Sequence, residues 1–260
     1  MQDSERVEAI PAATLVIFRQ SANHNGPPEL LMVERSKNMT FAGGAAVFPG
    51  GRVDPADREL ARSLRPVADQ DDMTARIAAI RETLEETGLV VGLEGEEVNA
   101  RTAAEARSML QQQESLAPVL EHFGWQIRFE DIVPFARWLP RGLKHSRIFD
   151  TRFYLADLGT GDVSLDADQT ETTRLFWTSA SDALKRAEQN NLKIIFPTLR
   201  NLERLGQFRT FAEARAHAAE YEVQPITPRV VVEDGKKWLT IPDNAGYPVS
   251  REPFTSAMRA

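Results

Sequence analysis

The sequence predicts a fold of the α/β (α+β) class, with strands and helices packed on one long core. Two observations carry this. The stretches "AATLVIFRQ" (12–20) and "LLMVERS" (30–36) are rich in strand-forming residues and flank a turn signal, "NHNGPPE" (23–29). A long amphipathic helix then runs to Thr87, with Asp71 or Asp72 as its N-cap and Gly88 as the residue that ends it.

Between these elements, 37–46 reads as a loop, and "AVFPGGRVD" (46–54) as a short strand broken by Pro49, Gly50 and Gly51. Residues 55–71 read as irregular chain. Beyond the long helix, 96–122 predicts two helices broken near Pro118. Strands follow within 123–140 and 147–158, then helices at 179–189, 197–208 and 210–222. The segment 229–242 has the pattern of a β-hairpin with Asp234-Gly235 at its turn.

The chain has 260 residues, 42% hydrophobic and 27% charged, an ordinary globular composition. No run of eighteen apolar residues predicts a membrane span, and the first residues carry no export signature. Zero cysteines exclude disulfides and thiolate metal sites and fit a reducing, cytoplasmic setting. A net charge of −7 argues against nucleic acid held by bulk electrostatics. It leaves room for a small phosphorylated ligand gripped by a local group of cations.

The long helix poses the chemical question. Met73, Ile77, Ile80 and Leu84 form its apolar stripe, while Glu82, Glu85 and Glu86 crowd the other side, with Arg81 between and in reach of Glu85. Like charges three and four apart destabilise a helix unless water or a cation offsets them. A solvated acidic face is one reading. A hard divalent cation, Mg²⁺ or Mn²⁺, held by carboxylates one turn apart is the other.

The surrounding residues resemble the Nudix box: Gly, five residues, Glu, seven residues, then Arg-Glu-apolar-x-Glu-Glu-x-Gly-apolar. Arg81 to Leu89 ("RETLEETGL") keep its second half, with Thr83 at an apolar position. Gly51 opens the first half and Asp57 stands six positions on, but the chain from Asp57 to Arg81 is about sixteen residues longer than the pattern allows. Asp57, Asp71 and Asp72 are all candidates for the first acid. Upstream, Arg35-Ser36, Gly44 and Phe48-Pro49-Gly50-Gly51 are similar to coenzyme A diphosphatases of that family, with Ala42 and Ala45 departing from them. "GGAAVFPGGRVD", "DDMTARIAAIRETLEETG" and "RIFDTRFYLA" resemble the acyl-CoA diphosphatase branch whose box carries an insertion.

The resemblance implies a Nudix α/β/α sandwich with a mixed sheet, as one domain over 8–260, with a box insertion at 58–71 and added helical segments at about 96–122 and 197–222. It implies hydrolysis of a diphosphate linkage, in CoA or acyl-CoA, to 3′,5′-ADP and a 4′-phosphopantetheine product. Glu82, Glu85, Glu86 and the Gly51 carbonyl would hold Mg²⁺ or Mn²⁺. Arg81 would orient Glu85, and Glu82 would take the proton from water. Glu171 or Asp57 would add a ligand or base. Arg35, Arg52, Arg147 and Arg152, with Arg141 and Lys144 behind them, would meet the phosphates of a nucleoside-diphosphate-linked substrate. Trp138, Phe153 and Tyr154 are either core or a stack for adenine. The added helices would cap the pocket or form a homodimer interface. Two rivals stand beside this: an ADP-ribose or dinucleotide pyrophosphatase, and a non-catalytic Nudix domain that senses a nucleotide.

Overall fold

The computed structural model describes residues 8–21, 26–37, 42–65, 69–141, 147–159 and 172–257. Lys144, His145 and Glu171 lie outside them. The strands, in chain order, are β1 (Ala9–Arg19), β2 (Glu29–Arg35), β3 (Ala46–Val47), β4 (Gly50–Arg52), β5 (Leu93–Glu94), β6 (Gln126–Ile127), β7 (Val133–Trp138), β8 (Ile148–Asp157), β9 (Thr172–Ser179), β10 (Pro225–Ile226), β11 (Arg229–Glu233), β12 (Lys236–Thr240) and β13 (Arg251–Pro253). The helices are α1 (Pro55–Leu64), α2 (Gln70–Thr87), α3 (Ala100–Gln113), α4 (Leu116–Phe123), α5 (Ala180–Glu188), α6 (Phe196–Leu205), α7 (Phe211–Ala219) and α8 (Phe254–Ala257).

Strand β1 is the spine of a mixed sheet. Ala13, Leu15 and Ile17 enter one core and Val16 and Phe18 the other, so both its faces are covered. It runs parallel to β8, from Ala9 opposite Ile148 to Phe18 opposite Asp157. On its other side it pairs antiparallel with β2 at Phe18 and Leu30, and with β4 at Ala13 and Gly51. The sheet extends through β7 and β10 beyond β8, and through β3 and β9 on β2. Helices α1 to α4 pack on one face around Ile77, Ile80 and Leu84. Helices α5 to α7 cover the other through Ala183, Leu202 and Ala214. The result is the three-layer α/β/α sandwich with a mixed sheet that the resemblance implies. Among the described residues no helix is long and apolar enough to cross a membrane.

Three local expectations are corrected. Residues 55–64 are helical, not irregular: Pro55 opens α1, Asp57 in its first turn accepts the Asp54 backbone N–H at 2.9 Å, and Leu60 and Ala61 bury its inner face. The N-cap of α2 is Asp69, whose carboxylate accepts from the N–H groups of Asp71 and Asp72 at 3.2 and 3.1 Å. The break between α3 and α4 falls at Glu114 and Ser115 rather than at Pro118. Pro118 sits in the first turn of α4, where a missing N–H costs the helix nothing.

The C-terminal hairpin forms as expected from β11 and β12. Asp234 and Gly235 both take positive φ (49° and 74°), as its two-residue turn requires. A third strand, β13, joins it.

Candidate active site

Arg81 is the hub of the box. Its Nε donates to Asp57 Oδ1 at 3.0 Å and its Nη2 to Asp57 Oδ2 at 3.1 Å. Nη2 also donates to the Arg52 carbonyl at 2.9 Å and lies 3.2 Å from Asp54 Oδ2. Nη1 turns to Glu82 Oε1 at 3.0 Å and Glu85 Oε2 at 3.4 Å. Burial alone would lower this guanidinium's pKa; the surrounding carboxylates, Asp57 foremost, raise it above its ordinary range.

Helix α1 is what delivers Asp57. The side chain is 1% exposed, and Arg81 and the Asp54 N–H engage its oxygens. The other two candidates for the first box acid lie elsewhere. Asp71 and Asp72 stand in the first turn of α2, and Asp72 meets Arg76 at 2.7 Å and Tyr154 Oη at 2.9 Å.

The β4 backbone closes over the carboxylates. A Cβ on Gly51 would fall 2.3 Å from the Glu82 carboxyl carbon, so any larger residue there would push that carboxylate out of its place. Gly50, at φ +152° and pressed on the Ala13 carbonyl, donates its N–H to Glu86 Oε2 at 2.9 Å. Glu86 is therefore buried rather than wet, because α2 is covered on more than one side. Glu85 is the outermost of the three, with its side chain 41% exposed. The Glu82 carboxyl is pushed up to about 7, first by burial and then by the charge of Glu85, against the pull of Arg81.

The far end of α2 is held from outside the box. Its last carbonyls have no partners within the helix. Arg107 of α3, 8% exposed, donates Nε to the Glu85 carbonyl at 2.9 Å and Nη2 to the Glu86 carbonyl at 3.4 Å. Nothing local in the sequence marks Arg107 for this contact. Asp54 was also missed, although an Asp-Pro pair followed by an acid two positions on is a helix-start signal.

The structure thus gathers Gly51, Arg52, Asp57, Arg81, Glu82, Glu85 and Glu86. Arg152 of β8 turns its guanidinium to Asp72 at 3.8 Å. That partner is about 15 Å along α2 from Glu82, at 1.5 Å per residue. Arg35 stands at the bulge where β2 meets β9, its buried Nε without a hydrogen-bond partner among the described residues. Arg147 is exposed just before β8, and Arg141 is exposed after β7. Trp138, Phe153 and Tyr154 are core, at 1%, 6% and 1% exposure, and cannot stack on a ligand.

The donor set suits a hard divalent cation: it is all oxygen, partly desolvated, and includes a carboxyl whose ionisation a nearby cation would favour. Among the described residues, no three acidic or histidine side chains converge as a ready metal cage. Arg81 and the Gly50 N–H occupy oxygens of Glu82, Glu85 and Glu86.

Comparison with known proteins agrees with this layout. The family model described as NUDIX domain matches residues 9–199. A chicken protein named Acyl-coenzyme A diphosphatase NUDT19 is 25% identical over 281 aligned residues, covering 86% of this chain and 71% of that protein. The Caenorhabditis elegans protein named Putative nudix hydrolase 7 is 23% identical, covering 81% of this chain and 66% of that protein. The crystal structure of a NUDIX hydrolase from Alicyclobacillus acidocaldarius superposes with a TM-score of 0.68 at 27% identity, covering 81% of this chain and 96% of that one.

Proposed function

The chain belongs to the Nudix family, and from that premise we propose that it is a divalent-metal-dependent diphosphatase acting on CoA or acyl-CoA. The family places it among hydrolases of phosphoric anhydride bonds. The CoA assignment draws on the Arg35-Ser36 and Phe48-Pro49-Gly50-Gly51 spacing and on the name carried by the chicken relative.

The observation that carries the mechanism is the packing of Gly51 onto the Glu82 carboxyl beside Glu85 and Glu86. Glu82, Glu85 and Glu86, with the Gly51 carbonyl, would hold Mg²⁺ or Mn²⁺. When bound, such a cation neutralises phosphate oxygens and lowers the pKa of a water molecule. Glu82 would be the group that takes the proton the attacking water loses. Arg81 is a positioning residue: pinned by Asp57, it fixes where the Glu82 and Glu85 side chains stand. Arg52, exposed at the edge of the cluster, and Arg35, with its unpartnered buried Nε, are the cations offered to substrate phosphates.

The test is hydrolysis of a panel of CoA, acyl-CoAs, ADP-ribose, NADH and nucleoside triphosphates with Mg²⁺ or Mn²⁺, beside Glu85→Gln and Glu86→Gln. A thermal shift by metal alone gives an independent readout. Release of 3′,5′-ADP from CoA species, lost in both variants, is expected. Turnover of ADP-ribose or NADH instead would retire the CoA assignment and keep the chemistry. No turnover together with no metal-induced shift would favour the nucleotide sensor.

A further inference from the structure

The C-terminal sheet exposes an edge that matches itself. Its strand order is β11-β12-β13, and among the described residues β11 pairs with β12 alone, which leaves the outer edge of β11 without a strand. Natural proteins usually blunt such an edge with a charge or proline at its middle. This one reads Arg229-Val230-Val231-Val232-Glu233, with charges only at the two ends and opposite in sign. Val230 is 42% exposed and Val232 62%, the highest exposure among the large apolar residues described.

We propose that β11 is a homodimer interface, in which the edge strands of two copies pair antiparallel about a twofold axis through Val231. In that register residue numbers sum to 462. Arg229 then faces Glu233 of the second copy, Val230 faces Val232, and Val231 faces itself. Every pair is complementary, and each occurs twice except the one on the axis. Side chains alternate across a strand, so the four outer valines form one contiguous apolar patch on one face. On the opposite face the Val231 pair is flanked by two Arg–Glu pairs. Cross-strand pairs of these kinds, with Cβ atoms about 5 Å apart, are the units that stabilise a sheet.

A shift of one residue destroys the match, because it sets a charge against a valine at each end. A parallel pairing in register would place Arg229 on Arg229 and Glu233 on Glu233. Glu233 already meets Arg251 within its own chain at 2.8 Å, but both side chains of that pair are about half exposed. Such a pair holds its carboxylate weakly, and a carboxylate accepts from two guanidinium groups. The joined edges make one continuous six-stranded sheet and remove both open edges at once. Neither Arg229 nor Glu233 belongs to the candidate active site, so the pairing stands or falls independently of the enzymatic reading.

The experiment is the molar mass of the full chain in solution, by sedimentation equilibrium over a range of concentrations. Arg229→Glu and Glu233→Arg are measured singly and combined, with circular dichroism to show that each is folded. The expected result is a monomer–dimer equilibrium for the unmodified chain, weakened at least tenfold by either single reversal and restored by the combination. Register is tested separately by oxidative crosslinking, which the absence of native cysteine makes clean. Val231→Cys should crosslink to its own mate across the axis, whereas Val230→Cys, set opposite Val232, should not. A chain that stays monomeric at every concentration overturns the proposal. So does a dimer indifferent to the single reversals, or crosslinking equally efficient at both positions.

Discussion

Asp57 and Arg81 form a buried two-bond ion pair across 24 positions of sequence, with side chains 1% and 4% exposed. It joins the first turn of α1 to the middle of α2 and fixes the arginine that in turn touches Glu82 and Glu85. Removing one partner of a buried pair strands the other charge, which costs about 3–5 kcal/mol. Asp57→Asn is therefore expected to lose that much stability in urea denaturation. Diphosphate hydrolysis should fall as well, even under conditions where the variant is fully folded. A variant as stable as the parent would mean that Asp54, Glu82 and Glu85 suffice to compensate Arg81.

Arg107 caps α2 from another helix. Arg107→Ala leaves the Glu85 and Glu86 carbonyls without that donor, and about 2 kcal/mol of stability should go with it. Arg107→Lys keeps the charge but loses the fork, so it should recover only part. Hydrogen exchange should rise first in the last turn of α2. Equal exchange in parent and variant there would show that the contact does not hold the helix end.

Thr83 stands at a box position where the family pattern carries an apolar residue. It is fully buried, and its hydroxyl finds no hydrogen-bond partner among the described residues. Burying a hydroxyl without a partner costs about 1–3 kcal/mol. Thr83→Val replaces it with a methyl of similar size, and a gain of about 1 kcal/mol in unfolding free energy is expected. A loss would mean that the hydroxyl is satisfied.

Glu203 of α6 lies 2.8 Å from Arg200, which also holds Glu252 at 2.8 Å. Burial first, and the charge of Glu252 with it, push the Glu203 carboxyl up to about 7 against the pull of Arg200. The folded chain therefore keeps a proton that the unfolded chain releases near the ordinary glutamate value. This group's contribution makes stability fall as pH rises from about 4.5 to about 7, with no further loss above. Glu203→Gln should flatten that slope in thermal unfolding, read as the difference between parent and variant at each pH. A difference that does not vary with pH would show Glu203 to be ionised throughout.

What could be read from sequence was whatever repeats at a local period. Strand β1 is legible because its apolar run sits between two cores. The β11–β12 hairpin is legible because Asp-Gly between two short apolar-bearing runs has few other uses. The apolar stripe of α2, Met73 to Leu84, was legible for the same reason.

Glu86 was not, since periodicity assigns one dry face and α2 has more than one side covered. The first acid of the box could not be chosen among Asp57, Asp71 and Asp72, because which of them reaches Arg81 depends on α1 folding back beside α2. Helix α1 itself was hidden by its charged outer face, although Asp54, Pro55 and Asp57 spell its start. Arg152 and Tyr154 are two positions apart in β8 and both meet Asp72, a shared contact that becomes visible only in three dimensions.

The return of α1 against α2 also bears on how the long box can exist at all. For a flexible chain, the entropy lost on closing a loop grows only with the logarithm of its length. Lengthening a seven-residue link, as the box pattern has it, to the 23 residues between Asp57 and Arg81 adds about 1 kcal/mol on that basis. Leaving Arg81 buried without its Asp57 partner would cost several times more. The box is thus specified by a contact rather than by a count, and a search that fixes the spacing will pass over chains in which the same contact is made.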